Sequence, residues 1–262
     1  MAAYPKNFGE KLFYWKDAGG LLDLDGTVWN GTAWVKARDF PGPFPPELVS
    51  ADTTRLVVDE ANDQLILLDP NLGTLSVWSK GSWVTMVSRG QWVVANVIRA
   101  ITYDPAHKEV VILACCQTSG GLDAWTWSGR TMAQLPTEPG YFGGQMGGEL
   151  QIRMAQDGDG HLLVIGSESS GGYSWDGTSW TNLGPGAALP EYTFDMAYDA
   201  AHRQLIAVGY AHGFHTWQWE HGRWKLMATP SSPPTWGSDG NISNLVYDPD
   251  LPGVILTDLQ SA

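Results

Sequence analysis

Three arginines, two carboxylates and a histidine pair have the clearest chemical reach in this sequence. Arg55, Arg99 and Arg153 carry guanidinium groups, which can hold a carboxylate or phosphate through two parallel hydrogen bonds. Asp195 and Glu149 can accept hydroxyl groups or move a proton, and Asn244 adds an amide that both donates and accepts. His212 and His215 fall in Tyr210-Ala-His-Gly-Phe-His215. Two imidazoles without a third ligand make a poor metal centre. They fit acid–base chemistry if a carboxylate such as Asp195 orients one ring. Tyr210, Trp92, Tyr141 and Trp236 are aromatic candidates for stacking on a sugar ring or covering an apolar ligand.

The spacing of these residues points to the elements that hold them. Arg55, Ala100, Arg153, Asp195 and Asn244 each stand four residues before an aspartate: Asp59, Asp104, Asp157, Asp199 and Asp248. Each aspartate closes one apolar run, and an aliphatic pair begins five or six residues later: Leu65-Ile66, Val110-Val111, Leu162-Leu163, Leu205-Ile206 and Val254-Ile255. A second marker alternates with the first. Trp29/Trp34, Trp78/Trp83, Trp127/Met132, Trp175/Trp180 and Trp219/Trp224 are pairs of large residues five apart across a turn containing glycine. Aspartate and glycine suit tight reversals, the first by bonding to its own backbone and the second by tolerating positive φ. Four short strands in each stretch of about 40–50 residues is the pattern of a propeller blade.

The expected fold is therefore all-β: a five-bladed β-propeller of four-stranded antiparallel blades in a single domain, 1–262. The chain starts with a Trp marker and ends with an Asp marker, so the terminal half-repeats are expected to pair and close the ring. On this reading the blades span 244–262 plus 12–37, 53–88, 97–135, 150–184 and 192–228. Loops 38–51, 88–96, 135–148, 184–191 and 228–240 are long and varied and share one face, where function is expected, at the mouth of the channel. The residues four before each anchor line that channel. They read either as a ligand site or as a solvated, ion-paired plug.

The repeated order of Asp, aliphatic strand, glycine-rich loop, Trp-x-Trp and further Trp resembles the kelch-type repeats of bacterial propeller proteins. The resemblance runs from about Leu21 onward. The double glycine of the usual kelch strand is replaced here by Leu68-Asp69, Cys115-Cys116, Gly166-Ser167 and Gly209-Tyr210. Kelch similarity implies the fold and no activity.

Composition limits the partners. The 262 residues include 31 Gly and 14 Trp, and the net charge of -13 opposes nucleic acid and anionic membrane as partners. The adjacent Cys115 and Cys116 cannot staple distant segments. The N-terminal stretch lacks a signal-peptide core, so a cytoplasmic protein is expected, and a monomer or small homo-oligomer is the expected state. No metal or cofactor is expected. The leading reading is a propeller that binds a small anionic or sugar-like ligand, or a protein segment, at one asymmetric site. A multivalent lectin would repeat its polar residues in every blade, and this chain does not. The second reading is a hydrolase, lyase or cyclase using Asp195, Glu149 or His215 for acid–base chemistry. A protein-docking scaffold is the third.

Overall fold

The computed structural model describes residues 12–23, 26–37, 55–69, 73–79, 81–88, 97–115, 122–135, 152–166, 171–188, 192–210, 214–227, 242–251 and 253–258. The fold is all-β and belongs to the five-bladed propeller class, with five four-stranded antiparallel sheets among these residues. Blade one is β1 (Phe13–Trp15), β2 (Gly20–Leu22), β3 (Thr27–Trp29) and β4 (Trp34–Lys36). Blade two is β5 (Arg55–Asp59), β6 (Gln64–Asp69), β7 (Thr74–Ser79) and β8 (Ser82–Val87). Blade three is β9 (Val97–Asp104), β10 (Glu109–Cys115), β11 (Leu122–Trp127) and β12 (Met132–Gln134). Blade four is β13 (Ile152–Gln156), β14 (Leu162–Gly166), β15 (Gly172–Trp175) and β16 (Trp180–Gly184). Blade five is β17 (Tyr192–Asp199), β18 (Gln204–Tyr210), β19 (Phe214–Glu220) and β20 (Arg223–Leu226). A sixth, two-stranded sheet holds β21 (Ile242–Asp248) and β22 (Gly253–Asp258). No helix is long and apolar enough to cross a membrane among the described residues.

The chain divides into two compact units. Blades one to three lie in Leu12–Tyr141, where the first strands β1, β5 and β9 are neighbours. Blades four and five and the β21–β22 pair lie in Phe142–Ala262, where β13, β17 and β21 are neighbours.

Blade one corrects the expected closure. β3 and β4 pair with β1 and β2 from their own end of the chain, and β21 pairs with β22. Among the described residues the terminal half-repeats do not share a sheet. The physical reason is a disguised anchor. Trp15 lies opposite Gly20 as Asp59 lies opposite Gln64, and Leu21-Leu22 follows it as Leu65-Ile66 follows Asp59. Trp15 turns its indole N–H to Asp63 Oδ1 in the next blade's turn, at 3.1 Å. Among the described residues the first hairpin of a blade thus occurs six times and the second hairpin five times.

Elsewhere the markers do what their chemistry suggests. Trp29/Trp34, Trp78/Trp83, Trp175/Trp180 and Trp219/Trp224 face each other across register pairs, with ring centroids 5.8, 5.5, 4.9 and 5.2 Å apart. Asp59, Asp104, Asp199 and Asp248 are buried and Asp157 is half-buried, and each caps the turn that follows its strand. Asp104 accepts from the amides of Ala106 (3.0 Å) and His107 (3.3 Å), and its second oxygen meets the His107 ring nitrogen at 2.8 Å. Asp199 does the same with Ala201, His202 and the His202 ring, and Asp59 with the Asn62 amide and side chain. His107, His161 and His202 face solvent as expected, but each ring is also tied to its anchor.

Neighbouring blades interlock through these turns. Gly129 has φ +86, and a Cβ there would lie 2.4 Å from the Asn62 side chain that Asp59 holds in place. Only glycine allows that approach. Tyr103 reaches back to the same turn, where Ala61 hydrogen-bonds its phenol; burial and the charges of Glu60 and Asp59 push its pKa up to about 12.

Glu109, paired across the sheet with Asp104, carries a strain of another kind. Burial, then the Asp104 charge, raise its pKa against the opposing pull of His107 and the Thr126 hydroxyl. A raised carboxyl binds its proton more tightly in the folded chain, so folding is penalised above the folded pKa and relieved as pH falls through it. Glu109→Gln is expected to raise the melting temperature at pH 7. The gain should fade as pH falls towards the ordinary glutamate value of about 4.3. Melts of both proteins between pH 4 and 8 check this; a gain independent of pH would refute the titration account.

Candidate functional site

The innermost strands of the second unit bring two of the expected residues together. Arg153 lies on β13 opposite Ile165, and so shares the face of blade four that packs against blade five. Asp195 lies on β17 opposite Val208, on the face of blade five turned towards β21 and β22. The two therefore meet around the inner edge of β17. Arg153 Nε stands 3.9 Å from Asp195 Oδ1, with side chains 27% and 21% exposed. Arg153 also donates to the Ile152 carbonyl at 3.2 Å.

Asp195 has a second partner that no side-chain pattern announces. Its Oδ2 accepts the backbone N–H of Leu245, on β21, at 2.8 Å. One carboxylate thus links three successive inner strands, β13, β17 and β21. A separation of 3.9 Å is beyond hydrogen-bond length, and partly exposed pairs of this kind contribute about 0–1 kcal/mol. The amide bond is the stronger structural tie.

Asp195 stands in regular register with the anchor, and a bulge begins immediately before it. On β17 Thr193 opposes Gly209 and Asp195 opposes Val208, so Phe194 is the extra residue. The same irregularity recurs at the same distance from the anchor in two other inner strands. On β9, Arg99 is the extra residue between Ile98 and Ala100; on β21, Ser243 is the extra residue between Ile242 and Asn244. A bulge turns the strand beyond it onto the opposite face and re-aims the side chains beside it. This explains why Arg99 falls one place out of the repeat: it is a half-buried bulge residue.

The pairing of Asp195 with His215 is not formed. His215 opposes Gly209, and so lies on the face of Trp217 and Met196, opposite to that of Asp195. The two residues are also separated by β18, or about 10 Å of sheet. The His215 ring stacks edge-on to Trp217 at 6.4 Å. Asp195 cannot orient that ring.

The remaining candidates are placed as follows. Arg55 opens β5, Asn244 follows the bulge of β21, and Tyr210 ends β18; their backbones are in place. Glu149, His212, Trp92, Tyr141 and Trp236 lie outside the described residues. No cluster of three metal-binding side chains occurs among the described residues.

No protein-family model matches the sequence, and no curated protein matches it. Several solved structures share its architecture. The chain is similar to a gluconolactonase from Xanthomonas campestris at 13% identity and a TM-score of 0.60, over 96% of this chain and 83% of that one. It is similar to the extracellular domain described for a hybrid two-component system of Bacteroides thetaiotaomicron, at 14% identity and a TM-score of 0.53, over 91% of this chain and 30% of that one. A third likeness is to a Bacteroides thetaiotaomicron protein of unknown function, at 13% identity and a TM-score of 0.50, over 80% of this chain and 54% of that one. At such identities the likeness shows the propeller fold and nothing finer.

Proposed function

We propose that this chain is a ligand-binding propeller whose second unit holds a small anionic or hydroxyl-rich ligand against Arg153 and Asp195. The observation that carries the reading is the long, partly exposed Arg153–Asp195 pair on adjacent inner strands, beside the apolar clusters of blades four and five. A carboxylate has about four acceptor positions, so Asp195 can keep the Leu245 amide and still take a hydroxyl. Arg153 supplies the cationic contact for a carboxylate or phosphate. Asn244, at the equivalent position of the next inner strand, extends this reading as a polar neighbour. The kelch-type kinship and a cytoplasmic location belong to the same proposal, and the repeat pattern is what supports the kinship.

A hydrolase, lyase or cyclase is the second reading, favoured by the fold-level likeness to a gluconolactonase. It needs an acid–base group other than an Asp195–His215 couple, since these project from opposite faces.

Thermal-shift titration with gluconate and with glucose separates anion recognition from hydroxyl recognition. Gluconate is expected to raise the wild-type midpoint and to leave Arg153→Ala unmoved. A variant that responds as the wild type does would remove Arg153 from the site.

A further inference from the structure

The turn between β3 and β4 of blade one carries a reactive pair. Of the asparagines in the sequence, Asn30 alone precedes a glycine. Asn30, Gly31, Thr32 and Ala33 form an exposed tip. The strands on either side have three residues each, so the tip opens locally at little cost. Gly31 stands at φ +90, with nothing within 4 Å of where a Cβ would lie. Its backbone amide, without a side chain to hinder it, has room to approach the Asn30 amide carbon.

The same turn occurs in blade four with an acid in place of the amide. Asp176-Gly177-Thr178-Ser179 follows Trp175 as Asn30-Gly31-Thr32-Ala33 follows Trp29. Gly177 has φ +91. Asn30 Oδ1 accepts from the Thr32 amide at 3.1 Å, the Thr32 hydroxyl at 2.9 Å and the Ala33 amide at 3.0 Å. Asp176 Oδ1 accepts from the Thr178 amide, the Thr178 hydroxyl and the Ser179 amide, each at 2.8 Å. A charged acceptor shortens and strengthens such bonds. The Thr178 hydroxyl, followed by the amides of Ser179 and Thr178, holds the Asp176 carboxyl well below the usual carboxylate range. This donor set therefore favours a carboxylate, and blade one presents it to an amide.

We propose that Asn30 is a site of spontaneous deamidation in the folded chain, and that the turn retains the product as ordinary aspartate. Gly31 N gives up its proton and bonds to Asn30 Cγ. The Cγ–Nδ2 bond breaks, and ammonia leaves with that proton. Water then opens the cyclic imide. Opening at Cγ restores the main chain and gives aspartate. Opening at the main-chain carbonyl carbon gives isoaspartate, with the chain rerouted through Cγ. The rerouted chain is one methylene longer between Trp29 and Trp34, which face each other in register with ring centroids 5.8 Å apart. Aspartate keeps that register and inherits all three donors. Isoaspartate can close back to the imide and reopen, so material collects in the aspartate turn. The proposal stands apart from the Arg153–Asp195 ligand site and survives its failure.

The test is peptide mapping by mass spectrometry of the whole chain held in mildly alkaline buffer, folded and in urea, with Asn30→Gln in parallel. Isoaspartate is scored by enzymatic carboxyl methylation. The folded chain should lose the Asn30 amide while its other asparagines persist, and the product should be mainly aspartate. The urea sample should give mainly isoaspartate, and Asn30→Gln should leave this peptide unchanged. Asn30→Asp should melt at or above the wild-type midpoint at neutral pH. Asn30 intact in the folded chain once the urea sample has converted overturns the proposal. So does a folded product that is mainly isoaspartate, or an Asn30→Asp protein that melts below the wild type.

Discussion

Asp199→Ala is expected to lower stability by about 3 kcal/mol at neutral pH, because three donors lose one buried acceptor. Asp199 receives the amides of Ala201 at 3.1 Å and His202 at 3.2 Å, and the His202 ring at 2.7 Å. Its side chain is 7% exposed, so water replaces those bonds poorly. In a chain of this size such a loss shifts the melting midpoint by about 10 °C. The effect has a pH signature. Burial pushes the Asp199 pKa up, but the hydrogen bonds from the His202 ring and amide and from Gln204 outweigh it, and the net direction is down. A depressed carboxyl stabilises the fold fully above its unfolded value of about 3.9 and loses that contribution as pH falls through the folded value. The gap between wild type and Asp199→Ala should therefore hold from pH 5 to 7 and narrow in acid. Urea denaturation across that range measures it. A gap that widened in acid would contradict the assignment.

The second large effect concerns Asp195, where alanine and asparagine are expected to part company. Asp195→Ala removes the acceptor for the Leu245 amide and leaves that N–H without its 2.8 Å partner. The expected cost is about 2 kcal/mol, with the amide protons of β21 exchanging faster. Asp195→Asn keeps a carbonyl oxygen for the amide and loses only the charge facing Arg153. Because that pair is long and partly exposed, the expected cost is below about 1 kcal/mol. If asparagine proves as damaging as alanine, the ion pair dominates and the amide bond is secondary. The comparison also bears on ligand binding: Asp195→Asn should weaken any ligand that needs the carboxylate while leaving the sheet intact.

The repeat was readable because its markers are chemically constrained. An aspartate that caps a turn, an aliphatic strand that must be sealed and a Trp pair across a glycine turn each leave few substitutes. Blade one escaped the same reading because Trp15 replaces the capping aspartate and bonds outward to Asp63 instead. Without the carboxylate, the hairpin from Phe13 to Leu22 carries no visible marker. The nearness of Arg153 and Asp195 followed from their equal distance to successive anchors, since equivalent positions on adjacent inner strands lie side by side. The separation of Asp195 from His215 did not follow. It depends on the register of β18 with β19, which sets His215 opposite Gly209, one residue out of step with the Val208 that faces Asp195. The Leu245 amide was invisible for a simpler reason: a backbone donor has no side chain to read.

Strand order within every sheet follows chain order without a crossover. Almost every hydrogen-bonded ladder in the described residues therefore joins segments separated by one short turn. For a β protein this means small loop-closure entropy and low contact order, and it frees each blade to form before its neighbours. Folding can begin at any of the capped hairpins and spread by docking one blade onto the next, as in linear repeat proteins. The buried aspartates, needed in the native state to hold each turn, would then also decide where along the chain that growth begins.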